Sequence, residues 1–293
     1  MKILLLGSNG QVGQAFQELS KTDAFPIGWS LTAWGRADGD FSDPENLLSR
    51  IQTFAPEVIL NAAAYTQVDL AEKERENCER INATVPALLA EFSAKNAITL
   101  VHFSSDYVYA GMGTEPHLET EIPHAQNYYG LTKAQGDGGI ARSGCDHFIF
   151  RTSWVYSHSG KNFVKTMLKL GETKTELSVV NDQVGSPTYA PDLAMIALDC
   201  LMQGLEKKAD GKAFPSGVYH LTNSGFTTWA EFAKTILPQV QILGIPTSDY
   251  PTPAKRPLNS RLSLEKLRQA FDVRPRTWQA ALSECLSKIE ASK

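Results

Sequence analysis

Tyr129, Lys133 and Ser105 are the residues of this sequence whose types and spacing best fit a chemical role. Tyr129 and Lys133 are four residues apart, so on a helix they share one face. A free phenol titrates near ~10, and an ammonium beside it favours the phenolate and lowers that pKa. Ser105 lies 24 residues before Tyr129, where its hydroxyl is expected to hold a carbonyl oxygen beside the phenol. The trio predicts proton transfer to or from an oxygen while another group moves a hydride.

A glycine-rich turn at the start of the sequence predicts a dinucleotide site. Gly7, Gly10 and Gly13 follow a short apolar strand and open a helix, in the spacing G-x-x-G-x-x-G. Glycines let the backbone turn tightly and approach a pyrophosphate, whose charge the helix N-terminus favours. An ordinary glycine-rich turn is the alternative, and the strand–turn–helix context argues against it.

The end of the second predicted strand indicates which dinucleotide is used. An acidic residue there binds the ribose 2′-hydroxyl of NAD, whereas an arginine accommodates the 2′-phosphate of NADP. This sequence has Arg36 and no carboxylate directly after the strand. We therefore expect a preference for NADPH, with NADH possible, and with Asp40 and Phe41 flanking the adenine. The alternative is that Arg36 is a solvated loop residue.

Small and polar residues follow the third and fourth predicted strands. In the run 61–66 (NAAAYT), alanines would let a ribose and a nicotinamide lie close to the backbone, although alanines also pack well beside a sheet. Ser105 ends the fourth strand, and ligand groups gather at the carboxyl ends of parallel strands. Asn82 falls in a long predicted helix, where it could hold a water molecule or a backbone kink, or lie on the surface. Together, in order and in suitable elements, these motifs are far more specific than any one alone.

Composition excludes several functional classes. The chain has 293 residues, 42% of them hydrophobic, and a formal net charge of −4, so it can bury a sizeable core but offers no basic patch for nucleic acid. No apolar run approaches the ~18 residues of a membrane span, and the start is too short for a signal peptide, so we expect a cytoplasmic protein. The histidines and cysteines show no metal-binding spacing, and we expect no catalytic metal.

The elements that must position these residues alternate between strand and helix. Such alternation predicts an α/β fold with a doubly wound, Rossmann-like parallel sheet and a smaller C-terminal substrate lobe. We expect residues 1–155, with strands and a helix from about 175–222, to form the dinucleotide-binding domain. Residues from about 156–174 and 223–293 would form the substrate lobe. The predicted strands are 2–6, 30–34, 58–60, 98–103, 147–150, 177–180 and 218–221, and the predicted helices are 11–21, 43–54, 72–95 (irregular near Pro86), 128–143, 163–170, 192–202, 227–237 and a pair within 264–289.

The sequence resembles the dTDP-4-dehydrorhamnose reductase family, whose members are extended short-chain dehydrogenases/reductases. The resemblance covers essentially the full length and includes motifs outside the cofactor half. The matching runs are GSNGQVG at 7, NAAAYTQVD at 61, SSDYVY at 104, YGLTK at 129, RTSWVY at 151, NDQVGSPT at 181, YPTPAKRP at 250 and NSRL at 259. The resemblance implies that NAD(P)H reduces the 4-keto group of dTDP-4-dehydro-L-rhamnose to give dTDP-L-rhamnose.

The resemblance also implies roles for individual residues. Tyr129 would donate the proton, Lys133 would assist it and reach the nicotinamide ribose, and Ser105 would take the place of a threonine common in relatives. The cofactor-binding residues predicted from motifs and resemblance together are Gly7, Gly10, Gln11, Val12, Gly13, Arg36, Asp40, Phe41, Ala63, Ala64, Tyr65, Thr66, Tyr129 and Lys133. The predicted substrate-binding residues are Ser105, Asp106, Trp154, Arg256 and Asn259, with Arg261 as a further contact to the diphosphate or base. Trp154 would otherwise be a core aromatic residue.

Two other functions remain open at this stage. An epimerase or 4,6-dehydratase shares the scaffold, but a dehydratase has a second acid where Tyr107 stands, and an epimerase has an acidic residue after the second strand. A non-catalytic NADP-binding regulatory subunit, like that of methionine adenosyltransferase, also shares the ancestry. Some relatives dimerise through metal-bridged carboxylates, one of them on the first helix. This helix has no carboxylate before Glu18, so we expect a monomer or a weak homodimer.

Overall fold

Strands and helices alternate regularly in the first half of the computed structural model, which describes residues 1–292. The strands are β1 (Lys2–Leu6), β2 (Ser30–Trp34), β3 (Val58–Asn61), β4 (Thr99–Ser105), β5 (His147–Thr152), β6 (Val155–Tyr156), β7 (Glu176–Val180), β8 (Val184–Gly185), β9 (Thr188–Tyr189), β10 (Gly217–His220), β11 (Thr227–Thr228), β12 (Gln241–Ile245) and β13 (Asn259–Ser260). The helices are α1 (Gln11–Leu19), α2 (Pro44–Phe54), α3 (Val68–Ala71), α4 (Arg75–Glu79), α5 (Val85–Lys95), α6 (Tyr128–Arg142), α7 (Phe163–Gly171), α8 (Ala190–Ala209), α9 (Trp229–Ile236), α10 (Glu265–Phe271) and α11 (Trp278–Ala291).

The central sheet has six parallel strands in the order β2-β1-β3-β4-β5-β10. Chain order reverses between β1 and β3, and ligands of open α/β sheets bind at the carboxyl ends of the strands beside such a reversal. The predicted doubly wound sheet is confirmed.

Alternate side chains of the inner strands pack into two hydrophobic cores, one on each face of the sheet. In β1, Ile3 and Leu5 join the core shared with α1 and α8, while Leu4 and Leu6 join the core shared with α2 and α5. Side chains along a strand point alternately to the two faces, and here both faces are covered by helices. The inner strands are therefore runs of apolar residues rather than alternating patterns.

A third core holds the smaller lobe together. Its members come from α7, α9 and α11, with Phe232 and Trp278 at its centre. The expectation that the 177–180 strand belongs with the main sheet is wrong. This strand forms part of β7, which pairs in parallel with β12 in a separate two-stranded sheet. Conversely, α10 packs Leu267 and Phe271 into the main-sheet core.

The helix predicted over 72–95 is divided at the irregularity expected near Pro86. A π-helical turn at Arg80–Thr84 joins α4 to α5, and π-turns occur frequently at functional sites. Pro86 lies in the first turn of α5, where its missing N–H costs little. Gly136 of α6 faces this turn closely, since a Cβ there would lie 2.2 Å from the Asn82 carbonyl oxygen.

Candidate active site

A cavity of about 770 Å³ lies at the carboxyl edge of the central sheet. Its walls come from the glycine turn, from the ends of β3, β4 and β5, from α6, and from Trp229 at the start of α9. The predicted site residues that it brings together are Gly7, Gly10, Gln11, Val12, Arg36, Asp40, Phe41, Ala63, Ala64, Thr66, Ser105, Asp106, Tyr129, Lys133 and Trp154.

The glycine turn is shaped by close backbone contacts. Gly7 has φ +89°, and a Cβ at this position would lie 2.6 Å from the backbone nitrogen of Ala63. Gly13 does not line the cavity. Instead, a Cβ there would lie 2.2 Å from the Gly7 carbonyl oxygen, so Gly13 lets α1 pack on the turn. The free N–H groups at the start of α1 and the bare backbone of Gly10 thus fit a pyrophosphate.

Arg36, Asp40 and Phe41 form the far end of the cavity, beyond β2. The Arg36 side chain is 83% exposed, and its Nε lies 3.9 Å from Asp40 Oδ1. The backbone N–H of Ser42 donates to Asp40 Oδ1 at 2.9 Å and holds the pKa of this carboxyl below its usual value. Arg36 is therefore free to turn toward a phosphate at the cavity mouth. Its role in choosing the cofactor stays a prediction.

The segment 61–66 lines the cavity with Ala62, Ala63, Ala64 and Thr66, but the Tyr65 side chain points elsewhere. The Tyr65 hydroxyl donates to Glu74 Oε2 at 2.9 Å. Asn82, buried in the π-turn, accepts from the Tyr65 N–H at 2.9 Å and donates to its carbonyl at 3.0 Å. Tyr65 thus anchors the segment from behind, its side chain does not line the cavity, and its predicted place among the cofactor-binding residues stays a prediction.

Ser105 ends β4 and Asp106 follows it, and both residues line the cavity. The Ser105 hydroxyl donates to Asp106 Oδ1 at 3.0 Å and accepts the Tyr107 N–H at 3.2 Å. Asp106 is 2% exposed, and burial raises the pKa of its carboxyl to about 6. Ser260 of β13 lowers that pKa through a side-chain hydrogen bond, so it faces the Asp106 carboxyl. Ser104 and Thr152 also line the cavity.

Tyr129 faces the cavity from the first turn of α6, where Asn127 caps the helix by accepting the Gly130 N–H at 2.8 Å. Its ring packs edge-on against Tyr107, with centroids 5.5 Å apart. Burial raises the pKa of Tyr129 above that of a free phenol, and the Ser105 hydroxyl opposes this only in part. The expected lowering of this pKa by an ammonium is therefore wrong in direction.

The surroundings of Lys133 explain why its ammonium does not lower the pKa of Tyr129. Its ammonium nitrogen donates to the Phe103 carbonyl at 2.7 Å and lies 3.1 Å from His102 Nε2, so its bonds run into the sheet. Lys133 is 1% exposed, and burial lowers the pKa of its amine to about 8. The cavity therefore holds a phenol that stays protonated and a lysine that exchanges its proton near neutral pH.

Trp154 forms a wall opposite the catalytic set. Its backbone has φ +49°, and its ring stacks on Trp229 with centroids 3.7 Å apart and an interplanar angle of 14°. The edge of the ring lies over Gly185, where a Cβ would be 2.8 Å away. Trp229 donates to Gln183 Oε1 at 3.2 Å, which fixes the second ring. The two indoles offer a flat apolar face to a base or sugar ring.

Arg256, Asn259 and Arg261 lie outside the cavity walls. Arg256 pairs with Asp69 at 2.7 Å. The Asn259 amide donates to the carbonyls of Met112 and Glu115, and it accepts the backbone and guanidinium N–H groups of Arg261. The substrate contacts predicted for Arg256 and Asn259 are not supported, because these side chains tie the segment near 256–261 to neighbouring loops.

Comparison with known proteins decides the family. The family model described as "RmlD substrate binding domain" matches residues 1–291. The chain belongs to the RmlD family. An RmlD-family protein from Escherichia coli (strain K12), dTDP-4-dehydrorhamnose reductase, is 39% identical over 99% of this chain and 98% of its own length. The protein of that name from Burkholderia thailandensis is 38% identical, over 99% of each chain.

Solved structures of the RmlD family share the fold throughout. The crystal structure of dTDP-4-dehydrorhamnose reductase from Bacillus anthracis in complex with NADP has a TM-score of 0.89 and 33% identity, and the match covers 98% of this chain and 99% of that one. The resemblance inferred from sequence is thus confirmed.

Beyond the recognised RmlD motifs, sequence reasoning missed Trp229, Ser104 and Thr152, which line the cavity. Trp229 lies 75 positions after the ring it stacks on, and no local pattern connects them. Ser104 adjoins Ser105 at the strand end, a position that the gathering of ligand groups there could have identified. Within residues 1–292, no three His, Cys, Asp or Glu side chains come together as a metal site, and no helix there is long and apolar enough to cross a bilayer.

Proposed function

We propose that this protein uses NADPH to reduce the 4-keto group of dTDP-4-dehydro-L-rhamnose, forming dTDP-L-rhamnose. One observation carries the proposal: the Ser105 hydroxyl and the Tyr129 phenol share one cavity with the glycine turn. The RmlD-family relatives support it, since they bear the name of this reductase and one was solved with NADP. The protein is thus an oxidoreductase of nucleotide-sugar metabolism.

The glycine turn and Arg36 would hold the cofactor. Gln11 and Val12 present backbone N–H groups at the N-terminus of α1, which favours a pyrophosphate, and Gly10 lets the phosphates approach the turn. Arg36 would pair with the 2′-phosphate of NADPH. Bound NADPH supplies the hydride for the carbonyl carbon. The short side chains of Ala63 and Ala64 leave room for a flat ring beside the ends of β3 and β4.

Tyr129 and Ser105 would complete the reduction at the carbonyl oxygen. The Ser105 hydroxyl holds that oxygen beside the phenol, and the phenol transfers its proton to it as the hydride reaches carbon. The high pKa of Tyr129 keeps the phenol protonated until charge develops on the oxygen. Positioned acid catalysis of this kind contributes roughly 10²–10⁴-fold.

The sugar nucleotide would enter between the indole wall and the end of β4. Trp154 and Trp229 would stack on a ring of the substrate, and aromatic stacking is strong in such desolvated walls. Asp106, which lines the cavity directly after β4, would accept a hydroxyl of the sugar. In this arrangement the central sheet carries the cofactor and the smaller lobe supplies Trp229 to the substrate side.

An NADPH-oxidation assay over dTDP-, UDP- and GDP-linked 4-keto-6-deoxy sugars tests the proposal, with NMR identification of the product. We expect turnover with the dTDP sugar and a dTDP-6-deoxyhexose bearing a new hydroxyl at carbon 4. The Tyr129→Phe variant, which keeps the ring, is the matched control and should bind NADPH without oxidising it. Wild-type protein that binds NADPH and oxidises it with none of the sugars would instead identify a regulatory subunit. NAD retained through purification would identify an epimerase.

A further inference from the structure

Asn61 and His102 form a buried polar pair behind the candidate active site. They are in-register neighbours on the parallel strands β3 and β4, and both are 0% exposed. Neither lines the cavity, and the chemistry proposed above uses neither. A polar pair kept fully out of water needs a set of hydrogen bonds that satisfies it, and these bonds lead to Lys133.

The Asn61 amide determines which ring nitrogen of His102 carries the hydrogen. The Ala63 N–H donates to Asn61 Oδ1 at 3.2 Å, so Oδ1 must be the acceptor on that side. Asn61 Nδ2 then faces His102 Nδ1 at 3.0 Å and can only donate to it. A neutral imidazole has one donor and one acceptor, so its hydrogen lies on Nε2.

This tautomer points an N–H at Lys133. His102 Nε2 lies 3.1 Å from Lys133 Nζ, which also donates to the Phe103 carbonyl at 2.7 Å. An ammonium has three donors and no acceptor, whereas a neutral amine has a lone pair. The Nε2–H tautomer therefore stabilises the neutral amine and repels the ammonium.

We propose that His102, oriented by Asn61, is a positioning residue that helps Lys133 release its proton during each catalytic cycle. The inference rests on the proposed function. After the Tyr129 phenol has protonated the carbonyl oxygen, Lys133 Nζ gives up a proton to the cavity that it shares with Tyr129, and this proton restores the phenol. His102 Nε2–H then donates to the lone pair formed on Nζ, and a proton from water later recharges the lysine.

Other charges near Lys133 act against this release or are already compensated. Asp137, one turn later on α6, and Cys78 of α4 both favour the ammonium. However, Asp137 Oδ2 accepts from Arg151 Nε at 2.9 Å, and both side chains are buried, so much of its charge is neutralised within the protein. His102 itself stays uncharged, since burial and then Lys133 hold its pKa well below the usual value. The tautomer of His102 is therefore a means by which the fold can set the Lys133 charge.

The tautomer can be read directly from ¹⁵N NMR spectra of wild-type protein labelled at histidine, with the His102 signals assigned by their loss in His102→Gln. We expect a protonated Nε2 and an unprotonated Nδ1 at neutral pH. In Asn61→Asp, hydrogen bonds from the Ala63 N–H and the imidazole favour the ionised carboxylate. The carboxylate can only accept, so the hydrogen should move to Nδ1. A wild-type ring protonated at Nδ1 overturns the inference, whether or not the variant folds.

The pH profile of kcat provides the catalytic readout. With Nε2 turned into an acceptor in Asn61→Asp, the ammonium is favoured, and the alkaline limb should move up by about 0.5–1 pH unit, the equivalent of one hydrogen bond. The Asn96→Asp variant adds the same charge on the surface at the end of α5 and should leave the limb unmoved. If the His102 tautomer switches in Asn61→Asp but the alkaline limb of the kcat profile does not move, the inference is overturned. Absence of turnover in wild-type protein refutes the proposed function instead, and the NMR result still stands separately.

Discussion

Replacing Asn82 tests whether the π-turn fixes the cavity-lining segment 61–66. Its amide is the partner of both the N–H and the carbonyl of Tyr65, at 2.9 and 3.0 Å. Asn82→Ala leaves both buried groups unpaired, at about 1–3 kcal/mol each, so we expect a loss of roughly 2–6 kcal/mol in the free energy of unfolding. At about 2 °C per kcal/mol for a chain of this size, the melting temperature should fall by roughly 4–12 °C.

Turnover should fall along with stability. The segment held by Asn82 forms the cavity wall beside the glycine turn, and a displacement of about 1 Å in such a wall can cost ~10²-fold in rate. Steady-state kinetics well below the melting temperature separates this effect from unfolding. The control is Asn46→Ala, at an exposed position of α2, where a surface change should stay within about 0.5 kcal/mol.

The Asn82→Asp variant sharpens the test through its pH dependence. A protonated carboxyl at this position can accept the Tyr65 N–H and donate to the Tyr65 carbonyl, whereas the ionised form sets a charge against that carbonyl. The folded-state pKa of the new carboxyl is therefore raised, so the folded state binds more protons and stability falls as pH rises. The deficit relative to wild type should be smallest below about pH 4, where an unfolded Asp is also protonated, and should grow up to about pH 8, because a buried carboxyl resists ionisation. A deficit independent of pH, or an Asn82→Ala variant that melts and turns over like wild type, would refute this reasoning.

Four further predictions follow from the site and its supports. Tyr129→Phe should lower kcat by roughly 10²–10⁴-fold and leave the NADPH Kd nearly unchanged by fluorescence titration; near-wild-type turnover would remove the phenol from the mechanism. Arg36→Ala should lower the ratio of kcat/KM for NADPH to that for NADH by about tenfold, the loss of one charge-assisted hydrogen bond, and an unchanged ratio would make Arg36 a plain loop residue. In wild type, kcat should decline as pH rises through about 8, where Lys133 loses its proton, while the raised pKa of Tyr129 keeps the phenol protonated; a pH–rate profile that stays flat above that pH contradicts this. Asp137→Ala should strand the buried guanidinium of Arg151 and lower the unfolding free energy by about 3–5 kcal/mol in urea, and a change near zero would mean that water reaches the pair.

The first half of the fold could be predicted because its signals are local. Strands buried on both faces read as short apolar runs, as in Val58–Asn61 and Thr99–Ser105, and glycines or capping residues mark the turns between them. Local signals define the ends of the helices less sharply. Helix α8 continues to Ala209, beyond the predicted 202, because its last turns are charged helix formers without an apolar stripe. The two-residue strands of the smaller lobe are too short to show any period.

The incorrect predictions concern which elements and side chains contact one another, not whether the helices and strands exist. The strand predicted at 177–180 exists within β7, but an apolar run does not say which sheet it joins, and its partner β12 lies about sixty residues away. Similarly, motif spacing placed Tyr129, Lys133 and Ser105 correctly in one cavity. It could not show that the lysine bonds into the sheet, because that depends on how deeply α6 buries Lys133. Burial depends on the assembled fold. It raises the pKa of Tyr129, whereas the sequence predicts a lowered pKa.

The left-handed backbone conformation of Trp154 affects both the stability of the protein and the aromatic wall of its site. A tryptophan at φ +49° carries a conformational cost of about 1–2 kcal/mol that glycine would not have. The same residue supplies the indole that stacks on Trp229. Glycine at this position would relieve the strain but would also remove the stacked pair, which contributes about 0.5–1.5 kcal/mol beyond its buried area, so the two effects on stability oppose each other. Screens for robust variants of this protein should therefore score catalysis and thermal tolerance together.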